Sequence, residues 1–240
     1  MLQLDAGTDV EDNLNRALEL IRAAGEACSL VALPEFFLVR GDHDTIRDRA
    51  LSMQSEPIKR IAEVARAVDV NVLAGSLPFE DPDHPDRCFN RSLIFDRSGE
   101  IIARYNKIHL FDVDLDQGVT VQESDLLQSG EEETTARVDG FHAGLSICYD
   151  LRFPALYRKY ASRNVEVLFV PSNFTRETGR AHWEPLLRAR AIENQAYVVA
   201  PNQIGTNPET GVASLGQSMI VDPWGQVVTR CSDREGWASA

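Results

Sequence analysis

Residues 142–172 read "HAGLSICYDLRFPALYRKYASRNVEVLFVPS". The stretch opens on a short apolar run, "HAGLSIC", and closes on another, "VEVLFVPS". Between them Pro154 to Arg163 carries a helical pattern with proline in its first turn, where a missing N–H costs nothing. Strand, helix, strand in so few residues is a crossover unit, an order that favours an α/β architecture. Cys148 ends the first strand of the unit.

The same alternation extends outward. Asn13 to Ala24, "NLNRALELIRAA", puts Leu14, Leu18 and Ile21 on one helical face, and Gly25 offers a stop. The strand "SLVALPE" (Ser29 to Glu35), the helix "PIKRIAEVARAV" (Pro57 to Val68) and the strand "VNVLAGS" (Val70 to Ser76) follow. Arg91 to Phe111 predicts a hairpin around "DRSGE", with Gly99 in its loop. An acidic loop follows this hairpin. Beyond the crossover unit come a long helix, "AHWEPLLRARAIENQA" (Ala181 to Ala196), the strand "YVVAPNQ", and a last hairpin around "DPWG". Hairpins on a crossover core suggest a layered α/β sandwich rather than a doubly wound sheet. With no linker or repeat, one domain over 1–240 is expected. Its ends read as abrupt, with "LQLD" inside a first strand and "SDREGWASA" turn-like, so a few N-terminal residues and a C-terminal arm are expected to be missing.

Composition narrows the function. Acidic residues outnumber basic ones 37 to 24, a formal net charge of -13. Such a surface repels nucleic acid and anionic membrane, and no apolar run approaches the ~18 residues of a membrane span. The cysteines, Cys28, Cys88, Cys148 and Cys231, form no C-x-x-C pair. Free thiols in a reducing, cytoplasmic setting are the expectation.

A cysteine nucleophile needs the tip of a turn, help in ionising, and donors for an oxyanion. Cys148 meets the first by position, and a helix start after it would favour a thiolate. Taken alone, a lone cysteine is more often a buried apolar residue. Glu35 ends another strand beside Phe36 and Phe37, where partial desolvation would raise a carboxyl toward the range of a general base; alone it reads as a loop glutamate. Lys107, in "RYNKIHLF", ends a third strand, and alone it reads as a lysine snorkelling to water. Three ionisable groups at three strand ends are a stronger signal, because α/β sheets build sites there. A Cys-His dyad is the competing arrangement. Its candidates are His109 and His182, since His43 and His84 lie in polar loops and His142 at the far end of the cysteine strand. No H-x-H or H-E-x-x-H pattern points to zinc, and no glycine-rich fingerprint points to a nucleotide.

"LPEFF", "RYNKIHLFDVD" and "LSICYDLRFPALYRKYA", in that order, resemble the Glu-Lys-Cys blocks of the nitrilase superfamily of carbon-nitrogen hydrolases. The resemblance runs on through "VPSNFTRETGRAHWEPLLRARAIENQAYVVAPNQIG" and "SMIVDPWGQVV", and is greatest to the Nit-type amidases, the branch of omega-amidase and deaminated-glutathione amidase. It implies a four-layer α-β-β-α sandwich of the nitrilase type, assembling as a homodimer or higher homo-oligomer. It implies Glu35 as general base, Lys107 as the cation at the tetrahedral intermediate, Cys148 as nucleophile and Glu123 as a supporting acid that orients Lys107. The substrate would be a small carboxylate-bearing amide, with no metal or cofactor. N-carbamoyl amidohydrolase, nitrilase and a catalytically silent binding protein are the alternatives. For substrate contacts the expectations are the Tyr149 backbone N–H, Arg152 (or an Arg152–Asp150 pair), Asn173 and Phe174, with Thr175 beside them. Arg188, Arg190 and Glu193 read as ion-pair scaffolding. The segment "LVRGDHDTIRDRALSMQSEP" departs from the Gly/Pro-rich loop of relatives and is expected to reshape the pocket mouth.

Overall fold

Two sheets lie face to face, each covered outside by helices. The computed structural model describes residues 1–115 and 119–240, with the side chains of 114, 115, 119 and 120 left aside. The first sheet has the order β2(Leu30–Ala32), β3(Asn71–Glu80), β4(Cys88–Phe95), β5(Ile101–Asn106). The β2–β3 pair is parallel and the rest antiparallel. The second sheet runs β13(Val227–Arg230), β12(Met219–Val221), β11(Tyr197–Ala200), β10(Val167–Phe169), β9(Phe141–Leu145), β8(Thr135–Val138). Its centre is parallel, β10 pairing with both β9 and β11, as the crossover in residues 142–172 requires.

Strand alternation builds the layers. Val31, Val72, Leu93 and Phe95 point outward to α1(Val10–Gly25) and α3(Glu56–Ala67), where Leu14, Leu18, Ile21, Ile58, Ile61 and Val64 are buried with them. Ala32, Leu73 and Ile94, one residue out of phase, pack inward with Ala143, Leu145 and Phe169. On the far side the second sheet is covered by α4(Pro154–Ser162) and α5(Arg176–Asn194), through Leu156, Tyr157, Tyr160, Trp183 and Leu187. The result is an α-β-β-α sandwich. A short helix α2(His43–Asp48) lies in the segment after Glu35.

Three elements differ from expectation. The long helix starts at Arg176, not Ala181, because Thr175 turns the chain directly out of the β10 region. The acidic loop contains an antiparallel hairpin, β6(Asp112–Leu115) with β7(Val119–Gln122), whose alternating Val and Asp residues gave no continuous apolar run. The terminal "GW" of the turn-like tail is β14(Gly236–Trp237), paired with β1(Leu2–Gln3). Leu2, buried at this pairing, joins the α1 side of the core.

Candidate active site

Of the four residues expected to carry chemistry, which come from separate elements, Glu35, Glu123 and Cys148 line one cavity, and the buried Lys107 is bonded to the two glutamates. Glu35 follows β2 through Pro34, and bridges Ser76 of β3. Its turn is tight: Phe36 has φ 54 and its N–H donates to the Ser76 carbonyl at 2.9 Å. Gly75 permits this turn, since a Cβ there would lie 1.9 Å from the Pro34 oxygen. The side chain is 2% exposed, so it is no loop glutamate.

Lys107 follows β5 and is fully buried. Its Nζ donates to Glu35 Oε1 at 3.0 Å and to Glu123 Oε1 at 2.9 Å. It does not snorkel, because two carboxylates hold it inside. Burial works against its charge, but Glu123 and Glu35 outweigh burial and raise the ammonium well above the usual lysine range. Glu123, in a 3₁₀ turn after β7, also accepts from the Phe111 N–H at 2.8 Å. Burial raises its carboxyl, Lys107 opposes this, and the charge of Glu35 adds to the rise.

Cys148 opens a 3₁₀ turn, Cys148–Arg152, at a left-handed φ of 46. A non-glycine residue held there is strained, and such strain persists only where the surroundings enforce it. Here the Cys148 N–H donates to the Pro171 carbonyl at 2.9 Å. The expectation of a favoured thiolate is reversed: burial pushes the thiol well above its usual range, Glu35 adds to this, and Lys107 only partly offsets it. The five-residue turn supplies too short a dipole to compete with burial.

Glu35 Oε2 accepts from the Asn173 N–H at 2.8 Å, while the Asn173 side chain accepts from Ser214 Oγ at 2.6 Å. Phe174 packs on Trp183 with ring centroids 5.1 Å apart. Tyr149, Asn173, Phe174 and Thr175 all line the cavity, which measures roughly 660 Å³. The Tyr149 N–H meets no acceptor among the described residues. Arg40, Asp42, His43 and Ile46 also line the cavity, so the segment after Glu35 contributes to its wall.

Arg152 is not among the cavity residues. Its guanidinium packs over the Tyr149 and Phe174 rings, 5.8 and 5.6 Å away, and meets His182 Nδ1 at 3.1 Å. It does not pair with Asp150, whose fully buried carboxylate is taken by other donors. Neither dyad candidate serves Cys148: the His109 Nδ1–H donates to Asp150 at 2.7 Å, and His182 faces Arg152. Arg190 and Arg188 are scaffolding, the former capping the Leu151 carbonyl and pairing with Glu193 at 2.7 Å, the latter holding the Gly225 carbonyl.

Sequence reasoning missed Asn90. Its Nδ2 donates to Glu35 Oε1 at 2.8 Å, and its Oδ1 has no partner among the described residues. The signal lay in β4, where Asn90, Ser92 and Ile94 alternate onto one buried face.

The profile of the carbon-nitrogen hydrolase family matches residues 1–239. The chain is similar to the deaminated glutathione amidase of Synechocystis sp., 38% identical over all of this chain and 89% of that protein. It is likewise similar to the omega-amidase of Mus musculus, 37% identical over 98% of this chain and 84% of that protein. The crystal structure of the Caenorhabditis elegans NitFhit protein superposes with a TM-score of 0.91 at 41% identity, covering 98% of this chain and 57% of that one. With the site geometry, these matches establish that the chain belongs to the carbon-nitrogen hydrolase family, in the Nit-type amidase branch of the nitrilase superfamily.

Proposed function

We propose that this enzyme cleaves the C–N bond of a small carboxylate-bearing amide, an omega-amide of a 2-oxo acid or deaminated glutathione, through a thioester on Cys148. The observation that carries the reading is Lys107 Nζ held between Glu35 and Glu123, at 3.0 and 2.8 Å, two carboxylates that line the cavity together with Cys148. A thiol kept neutral by burial needs a base at the moment of attack, and Glu35 is the carboxylate there. Cys148 attacks the amide carbonyl as Glu35 takes the thiol proton. The oxyanion forms against Lys107 and the Tyr149 N–H, donors that act without reorganising. Glu35 returns the proton to the departing nitrogen, ammonia from a primary omega-amide or the cysteinylglycine amine from deaminated glutathione, then activates the water that hydrolyses the thioester. The cavity volume suits a small ligand, and the names of the relatives support the acid-bearing amides.

The wall chemistry favours a second reading of the substrate's tail. Arg40 is committed to Asp5, to the Ala6 and Ile204 carbonyls and to Ser214. Asp42 and Asp125 also line the wall, against His43 as the other basic side chain there. A neutral tail suits that wall better than a dianion. Ammonia release from α-ketoglutaramate, an N-carbamoyl amino acid, a nitrile and an uncharged amide, and cysteinylglycine release from deaminated glutathione, separate these substrates. Acid-quenched mass spectrometry of wild type during turnover of each substrate identifies the acyl group on Cys148. Full hydrolysis by Cys148→Ala would overturn the thioester route.

We also propose self-association through the α5 side. Trp224 is 82% exposed and Ile192 52% exposed, and the turn after Trp224 abuts Ile192, since a Cβ on Gly225 would lie 2.5 Å from its Cδ1. Sedimentation of wild type against Trp224→Glu tests this, a dimer giving way to monomer.

A further inference from the structure

The carboxylate of Asp150 is fully buried and receives four donors. Oδ1 accepts from the His109 N–H at 3.0 Å and from His109 Nδ1–H at 2.7 Å. Oδ2 accepts from Tyr105 Oη at 2.7 Å and from the Ile147 N–H at 2.9 Å. Tyr105 and His109 stand two residues before and two residues after Lys107. Ile147 immediately precedes Cys148, and Asp150 lies two residues beyond it. One carboxylate therefore grips both flanks of the lysine segment, from the first sheet, and the cysteine turn, from the second. The His109 ring is held flat against Phe153, with centroids 3.6 Å apart at 10°, which fixes where Nδ1 points.

The geometry points to Asp150 and His109 as a positioning pair that sets the placement of Lys107 relative to Cys148 across the gap between the sheets. The inference rests on the reading of Cys148 and Lys107 as the reacting pair. Two consequences follow from the contacts. The left-handed Cys148 residue needs its turn enforced, and the Asp150 bond to the Ile147 N–H does so from within the turn. Lys107 is the cation that stabilises a Cys148 thiolate, against Glu35 and Glu123, which disfavour it. Slack in the tie would loosen the lysine from the sulfur without touching either side chain. Positional errors of this kind lower the rate of the chemical step far more than they weaken binding.

The test uses the full chain and three variants: Asp150→Asn, His109→Phe and His109→Asn. His109→Phe keeps the ring on Phe153 and the backbone N–H but loses the Nδ1 donor. His109→Asn keeps a side-chain N–H near the Nδ1 position, and is the conservative rescue. Two readouts are taken beside the melting temperature: kcat and KM on whichever amide wild type hydrolyses, and the pH profile of Cys148 alkylation by iodoacetamide. The second needs no substrate. The expected result is a loss of kcat of about tenfold or more in His109→Phe, with KM within twofold and the alkylation profile moved to higher pH. Asp150→Asn shows the same changes more strongly, and His109→Asn restores both readouts toward wild type. If His109→Phe melts with wild type and keeps its kcat and alkylation profile, the pair is merely structural and the inference falls. Should Asp150→Asn fail to fold, the two His109 variants decide alone. A wild type that is alkylated at Cys148 yet hydrolyses no amide would overturn the proposed function, while the alkylation profiles would still decide the tie.

Discussion

Glu35 and Lys107 meet at 3.0 Å with both side chains shielded from water, 2% and 1% exposed. The contact joins a strand end next to β3 with one next to β4, and so cannot form until the first sheet has assembled. Glu123 adds a second carboxylate 2.8 Å from the same ammonium. One cation between two acids leaves the group short of positive charge. Burial first, and then the charge of Glu35, make the Cys148 thiol hold its proton, with Lys107 offsetting them only in part.

Replacing the charge but not the shape of Glu35 separates its two effects. Glu35→Gln removes the base, and amide hydrolysis falls by about 10²–10⁴. It also removes a negative charge that raises the Cys148 thiol, so alkylation by iodoacetamide shifts to lower pH. Slower hydrolysis with an earlier alkylation midpoint is the expected pair of results. An unchanged midpoint would show that Glu35 does not act on the sulfur.

Alkaline stability follows from the same burial. An unfolded Cys148 thiol loses its proton near its ordinary value of 9.0, whereas the folded one keeps it well above that. Between those values the native state binds more protons than the unfolded state, so stability falls as pH rises, by up to about 1.4 kcal/mol per pH unit. Cys88, which burial pushes up to about 12, contributes with the same sign. Denaturant titrations of wild type and Cys148→Ala at pH 8 and pH 10 isolate Cys148, because Cys88 cancels in the comparison. The mutant is expected to lose less stability on going to pH 10.

Gly75→Ala tests the turn under Glu35. The added methyl would sit 1.9 Å from the Pro34 carbonyl and 2.4 Å from that of Leu33, both backbone atoms that cannot swing away. A destabilisation of about 1–3 kcal/mol is expected, with activity reduced in the surviving folded fraction because Glu35 is carried on the displaced segment. Wild-type kcat in purified Gly75→Ala would show that the turn tolerates the change.

Asn90→Leu should divide activity from stability. It deletes a hydrogen bond to a charged group, worth about 1.5–3 kcal/mol, but also removes the unpartnered Oδ1, whose burial costs about 1–3 kcal/mol. The two terms offset, so unfolding free energy should stay within about 1 kcal/mol of wild type, while kcat falls about tenfold as Glu35 gains freedom. A large stability loss with kcat intact would mean that Asn90 serves packing alone.

Much of this was legible in the chain. The crossover pattern in residues 142–172 determined an α/β fold, and the helical faces of Leu14, Leu18 and Ile21 and the hairpin around Gly99 follow from local periodicity and turn chemistry. Periodicity acts over a few residues, so it survives without tertiary context. Glu35, Lys107 and Cys148 could be singled out because each ends a strand and the blocks around them resemble a family. Their electrostatic state could not be read in the same way. Whether Lys107 reaches water or two acids, and whether Cys148 is thiol or thiolate, depends on burial and on neighbours distant in sequence. Arg152 looked like a substrate clamp because it is close in sequence, yet the turn after Cys148 sends it behind Tyr149 and Phe174. Asp150 and His109, neither distinctive alone, became partners only when the two sheets closed on one buried carboxylate. Local pattern determined the elements; the low-dielectric space between the sheets decided the charges.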